Sequence, residues 1–180
     1  METNNKTVAD GMKEIYFAGG CFWGTERLFK SIKGVTFTEC GYANGKKSIV
    51  PDYKKVCTGE TGYRETVHVI YDPLKVKLTQ LLKAFFYIID PTLEKRQGDD
   101  IGDQYQTGIY YKDEETGSAV SEYAENEKQK YPVFAVEISP LTVFFTAEEY
   151  HQDYLEKNPD GYCHIPFWQI ENINDVIKES

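Results

Sequence analysis

An α+β fold is predicted by two features of the 180-residue chain. Short strand-like and helix-like segments alternate over roughly its first 111 residues, and 41% of the chain is apolar, with 14 Tyr and 10 Phe. That composition supplies a packed core and excludes global disorder. A chain of this length buries roughly 70% of its unfolded surface as one domain. Residues 14–180 are read as that single domain, and residues 1–13, polar and without periodicity, as a disordered lead.

Glu14 to Ala18 is a short apolar run closed by Gly19-Gly20. Phe22, Trp23, Leu28, Phe29 and Ile32 then recur at helical spacing, giving strand, tight turn and helix. Val35 to Tyr42 reads as a strand, and the Gly- and Lys-rich stretch 44–62 with Pro51 as a long loop. Arg64 to Tyr71 alternates, so Glu65 shares one side with Val67, Val69 and Tyr71, while His68 lies on the other. Leu78 to Ile89 is apolar enough for a helix laid on a sheet and stops at Asp90-Pro91, because the residue before proline disfavours helical backbone. Leu93 to Gln106 is a polar loop, Thr107 to Tyr111 a strand, and Glu114 to Lys130 a charged helix. Val133 to Ile138 and Val143 to Phe145 are strand-like, Ala147 to Lys157 reads as the last helix, and the tail from Asp160 as loop. The leading order β-α-β-β-α-β is that of a ferredoxin-like split βαβ unit. The prediction is therefore an α+β sandwich of that kind, with additional helices and strands and a C-terminal loop tail.

A formal charge of −9 argues against a nucleic-acid partner, which would select clustered Lys and Arg. No run approaches the ~18 apolar residues of a membrane span, and the N-terminal stretch lacks the basic start and apolar centre of a signal peptide. A cytoplasmic location follows as the expectation. In a reducing compartment Cys21, Cys40, Cys57 and Cys163 are not expected to be a static disulfide framework, and no pair has CxxC spacing. Cys40 and Cys57, in or beside strand-like segments, read as buried, inert thiols.

Cys21 differs, because it falls between a glycine turn and the start of a helix. Free backbone N–H groups and the positive helix end favour a thiolate there, and lowering a thiol pKa of about 8.5 by ~1.5 units half-ionises it at neutral pH. Placement alone leaves two readings open, a nucleophile or a small buried hydrophobe. Phe22 and Trp23 point about 100° apart on the helix, so one or both can line an apolar cup beside the sulfur, of a size that suits a methyl group.

Gly20-Cys21-Phe22-Trp23-Gly24 resembles the signature of the A-type peptide methionine sulfoxide reductases. Further matches follow in that family's order: Gly41-Tyr42-Ala43, Tyr53 with Val56-Cys57, Gly59 to Gly62 with Glu65, and the tract from Arg96-Gln97-Gly98 to Tyr105. Tyr150-His151-Gln152 with Tyr154-Leu155, and finally Gly161-Tyr162-Cys163, complete the set. Asn44, where the family usually has glycine, and Asp103, Gln106 and Thr107 depart from the pattern.

The resemblance implies reduction of methionine-S-sulfoxide, free or in proteins, to methionine, and so the repair of oxidised proteins. It makes Cys21 the nucleophile that becomes a sulfenic acid, Glu65 the general acid, and Tyr53 and Tyr105 the phenols on the sulfoxide oxygen. Phe22, Trp23 and Asp100 become substrate-binding residues. Cys163, in a tail that the sequence reads as mobile, becomes the resolving cysteine of a Cys21–Cys163 disulfide that thioredoxin reduces. No cofactor or metal is implied, and a monomer is expected. Glu65 among valines gives an independent reason for a raised carboxyl pKa, although a lone strand glutamate is ordinarily a solvated edge residue.

Three rivals are weaker. A Cys–His hydrolase would pair Cys21 with His68, His151 or His164, but His68 faces away from Glu65 and His151 reads as packing in the last helix. A zinc module on Cys163-His164 lacks the paired short spacings of a four-ligand site. An adaptor docking through Glu114 to Lys130 would use a mixed-charge face that more often meets solvent.

Overall fold

The computed structural model describes residues 6–179. Six strands form the main sheet: β1 (Lys13–Ala18), β2 (Val35–Ala43), β3 (Arg64–Tyr71), β6 (Gly108–Tyr111), β7 (Glu137–Pro140) and β8 (Phe144–Thr146). Their order is β7-β6-β1-β3-β2-β8, and every pair is antiparallel except β6 with β7. The central four, β6-β1-β3-β2, are joined through the helices α1 (Phe22–Lys30) and α3 (Leu78–Ile88), which is the split βαβ order expected from the sequence. A hairpin of β4 (Arg96–Gln97) and β5 (Asp100–Ile101) and a short helix α2 (Tyr53–Val56), capped by the Asp52 carboxylate on Lys55 N–H, occupy what read as loops.

The register Ile15↔Val69 and Phe17↔Val67 places these residues on one face of the sheet, the face that carries Glu65. Phe17 stacks on Phe29 of α1 at 4.3 Å and on Phe85 of α3 at 5.2 Å, so both helices close the same core. The opposite face of β3 is also covered: Tyr16 stacks on His68 at 4.3 Å, with Phe144 edge-on to Tyr16. β3 is thus buried on both sides, as a central strand flanked by β1 and β2 should be.

Several boundaries differ from the sequence reading. Lys13 belongs to β1 rather than to the lead; within the described part of that lead Met12 N–H closes a turn on Ala9 C=O, and residues 1–5 lie outside the described residues. Residues 133–136 are not strand, and β7 begins at Glu137, whose carboxylate takes Arg64 and Tyr110. The predicted helix 147–157 is broken into a single 3₁₀ turn at Glu149–His151 and α5 (Tyr154–Lys157), with Asp153 at φ 53° between them. Tertiary bonds account for the break. The Gln152 amide pairs with both Cys40 N–H and Cys40 C=O, and Asp153 N–H donates to Glu26. The tail after Pro166 is not loop: α4 (Glu114–Lys128) is followed, beyond α5, by α6 (Phe167–Glu171) and α7 (Ile173–Val176), which set Ile170, Ile173 and Ile177 into the core. Asn44 stands at φ 55°, the left-handed region that glycine or asparagine tolerates, and its amide holds Thr142 N–H and Pro140 C=O.

Candidate active site

Cys21 is the N-cap residue of α1 and exposes 6% of its surface. Gly20 precedes it at φ 87°, and a Cβ there would lie 2.7 Å from Gln97 Cβ, so the turn requires glycine for both backbone and space. Glu65 arrives from the adjacent strand face fully buried, and its Oε2 accepts the Phe22 N–H at 3.0 Å. A thiol and a carboxyl therefore share the free N–H groups of one helix terminus.

Burial decides the electrostatics. Desolvation pushes the Glu65 carboxyl from its ordinary 4.5 up to about 8; the Phe22 N–H pulls the other way and the Asp100 charge adds to the rise. Glu65 is protonated at neutral pH. The Cys21 thiol is also pushed up, first by burial and then by the Glu65 charge, while the Trp23 N–H opposes them. The thiolate expected at this helix end is thus not formed by the helix alone, because desolvation outweighs the amides. The two groups are coupled: a proton held on Glu65 removes the carboxylate repulsion that disfavours a charge on Cys21.

The remaining residues singled out in the sequence surround this pair unequally. Tyr53 opens α2 and Tyr105 closes the 3₁₀ turn Asp103–Tyr105, and both are partly exposed. Both phenols are pushed up by burial, and the charges of Glu65 and Cys21 act on each, so the two rings border the same centre. Phe22 is 1% exposed and packs inward on Tyr42 and His151, whereas Trp23 keeps open surface and stacks on Tyr154 at 3.7 Å. Only the indole offers a wall to solvent. Asp100 on β5 is half-buried and accepts the Tyr162 hydroxyl at 3.0 Å, while Asp99 is exposed.

Cys163 is half-buried rather than free in a mobile tail. Its Sγ donates to Ile165 C=O at 3.2 Å, and a Cβ on Gly24 would lie 3.0 Å from that sulfur. The segment is packed on the first turn of α1, beside Cys21. Cys40 is buried as expected, its thiol 3.2 Å from Glu26 Oε2. Cys57 is exposed, contrary to the sequence reading, since it closes α2 on the solvent side.

Three supporting residues were given no role in the reductase reading of the sequence. Glu148 accepts Tyr53 N–H and the Tyr42 hydroxyl, and so fixes where α2 begins. His151 accepts the Trp23 indole N–H at 3.0 Å, and burial lowers it to about 4, so it is neutral. His164 donates through Nε2 to Gly19 C=O at 2.9 Å. The signal for the first two lay in the polar residues of a helix-like run that packing then broke. His68, paired with Glu14 on the other face of β3, is remote from this centre. One ring nitrogen of His164, the Cys21 sulfur and an Asp100 carboxylate oxygen lie within 4.8 Å of one another, which is three donors rather than the four of a structural zinc site. Among the described residues no helix is long and apolar enough to cross a membrane.

The peptide methionine sulfoxide reductase family profile matches residues 13–179. The peptide methionine sulfoxide reductase MsrA of Clostridium acetobutylicum is 53% identical over 156 residues, covering 86% of this chain and 96% of that one. The reduced form of Mxr1 from Saccharomyces cerevisiae superposes with a TM-score of 0.82 at 37% identity, over 87% of this chain and 92% of that one. Methionine sulfoxide reductase A of Corynebacterium diphtheriae gives 0.81 at 35%, over 88% and 84%. A buried cysteine and a protonated glutamate at one helix terminus, in a chain matched over nearly its whole length, place this protein in the peptide methionine sulfoxide reductase family of oxidoreductases.

Proposed function

We propose that the chain reduces methionine-S-sulfoxide, free or in proteins, through Cys21, with Glu65 as the acid and Cys163 as the resolving thiol. The observation that carries the reading is the shared helix terminus: a carboxyl that is neutral up to about pH 8 stands beside the one buried thiol that a glycine turn presents at a helix N-cap. The Trp23 indole receives the substrate methyl group, with Phe22 packed on the His151 ring that holds the indole, and Asp100 holds the substrate backbone. The Tyr53 and Tyr105 hydroxyls donate to the sulfoxide oxygen, and burial, which keeps both phenols protonated, suits them to donate.

The steps balance. The Cys21 sulfur attacks the sulfoxide sulfur while Glu65 protonates the oxygen and takes up the Cys21 thiol proton in exchange; the hydroxyl passes to Cys21 as a sulfenic acid and methionine leaves. Cys163 then attacks the Cys21 sulfur, giving a disulfide and water. The thiols of a thioredoxin-like protein open that disulfide by exchange, as a reducing cytoplasm would support. Turnover of each methionine sulfoxide epimer with dithiothreitol as reductant tests the reading. Reduction of the S epimer alone is expected, and equal turnover of both epimers, or of neither, contradicts it.

A further inference from the structure

His164 is left without a task by this scheme, yet its surroundings are specific. A carbonyl oxygen only accepts, so the 2.9 Å contact with Gly19 C=O puts the imidazole proton on Nε2 and leaves Nδ1 as a bare acceptor. That Nδ1 is buried and has no hydrogen-bond partner. A Cβ on Gly24 would lie 3.1 Å from it and 3.0 Å from Cys163 Sγ, so the free nitrogen and the resolving sulfur rest on the same glycine. The same ring stands within 4.8 Å of the Cys21 sulfur. This buried acceptor has no partner of its own, and the Cys163 thiol that rests on the same glycine carries the proton that the resolving step must move.

We propose that His164 is a further catalytic residue, one that moves the proton of the resolving step. As the Cys163 sulfur attacks Cys21, Nδ1 takes the Cys163 thiol proton and delivers it to the Cys21 hydroxyl. The sulfur–oxygen bond breaks, the hydroxyl leaves as water, and the sulfur–sulfur bond forms. The sulfenic sulfur is reduced and the Cys163 sulfur oxidised, so no outside reagent is needed. In the resting enzyme the thiol proton points to Ile165 C=O, and a turn about the Cys163 side chain redirects it. This role rests on the proposed function of Cys21 and Cys163.

The groups that face the imidazole are Cys21 at the N-cap of α1, Asp100 on β5 with its Tyr162 partner, and Cys163 from its own segment. Burial lowers His164 below its ordinary 6.5, Asp100 opposing it, so the ring is a neutral acceptor at physiological pH. Both cysteines are pushed the other way and titrate on the alkaline side.

His164→Gln and His164→Ala separate the proton role from a simple anchor. Glutamine reaches the Nε2 position and keeps a donor to Gly19 C=O, but offers no titratable acceptor at Nδ1. A single turnover without reductant, from pH 5 to 9, reads methionine released and, separately, the rate at which thiols disappear into the disulfide. In His164→Gln about one equivalent of methionine should still form while disulfide formation slows by on the order of 10²-fold, a general acid–base factor. A sulfenic-acid trap should label Cys21, and the fall in disulfide rate expected of the wild type as pH drops below 6.5 should be absent. Disulfide formation at the wild-type rate and pH profile in His164→Gln, whether or not His164→Ala is slow, overturns the proton role. A wild-type protein that releases no methionine, or whose disulfide omits Cys163, breaks the underlying reading instead, and the two failures are told apart by product.

Discussion

Two buried thiols in this molecule stand beside glutamates, and only one has the surroundings of a reaction centre. Cys40 is wholly buried in β2, 3.2 Å from Glu26, and the Glu26 carboxylate is taken up by Asp153 N–H and the Thr38 hydroxyl. Cys21 lies at a helix N-cap; Glu65 takes only the Phe22 N–H among the hydrogen bonds of the described residues, and two partly exposed phenols border the pair. Burial raises both thiols and both carboxyls. A raised pKa is therefore no signature of function here. What separates the two is that the Glu26 carboxyl is spent on structure, whereas Glu65 retains a proton and acts through its charge on Tyr53 and Tyr105.

The largest effect that sharpens this contrast is at Cys21. Cys21→Ser should abolish turnover, because a hydroxyl near its ordinary pKa is too weak a nucleophile toward sulfoxide sulfur; appreciable methionine release in a discontinuous product assay would remove Cys21 from the mechanism. Glu65→Gln should slow the methionine-forming step by about 10²- to 10⁴-fold at neutral pH. The wild-type rate should decline as pH rises through about 8, where Glu65 loses its proton, and the variant should lack that decline. A single-turnover rate unchanged by the substitution would assign the acid role elsewhere.

The same substitution should stabilise the fold. A carboxyl raised from 4.5 unfolded to about 8 folded favours the native state fully below pH 4.5, and this contribution is lost as pH climbs to 8. Glutamine pays no such cost and still accepts the Phe22 N–H. Urea unfolding of Glu65→Gln against wild type should thus show a gain near zero at pH 4.5 that grows to as much as about 3 kcal/mol at pH 7. A gain independent of pH would mean that Glu65 is not the titrating group. Smallest of all, Cys40→Ser keeps a hydrogen-bonding atom beside Glu26 and should cost roughly 1 kcal/mol of stability, with catalytic efficiency changed by no more than about threefold. A loss comparable to that of Glu65→Gln would erase the distinction between the two thiols.

Much of this was legible because it depended on local pattern. Alternation in Arg64–Tyr71 put Glu65 on the valine side, and Gly19-Gly20 ahead of an amphipathic run put Cys21 at a helix start. What the sequence concealed depended on long-range pairing. The run from Ala147 to Lys157 has helical character, but Gln152 completes the edge of β2 at Cys40 and Asp153 caps onto Glu26, more than 100 residues away, so the helix breaks. The thiolate expected at the N-cap followed from the helix amides alone, and desolvation, which only the closed fold sets, reversed its direction. The docked tail was hidden for the same reason: the stretch from Asp160 reads as loop until the core receives Ile165 and Ile170.

The central claim is that Cys21 and Cys163 react with each other while Cys40 and Cys57 stand aside. Its most direct test is to give the fully reduced protein one equivalent of methionine-S-sulfoxide without reductant, alkylate the remaining thiols, and map the cysteines by mass spectrometry. One disulfide between Cys21 and Cys163 is predicted, with Cys40 and Cys57 recovered as alkylated thiols. A disulfide that includes Cys40 or Cys57, or methionine release that leaves Cys163 alkylated and Cys21 unoxidised, would contradict the account.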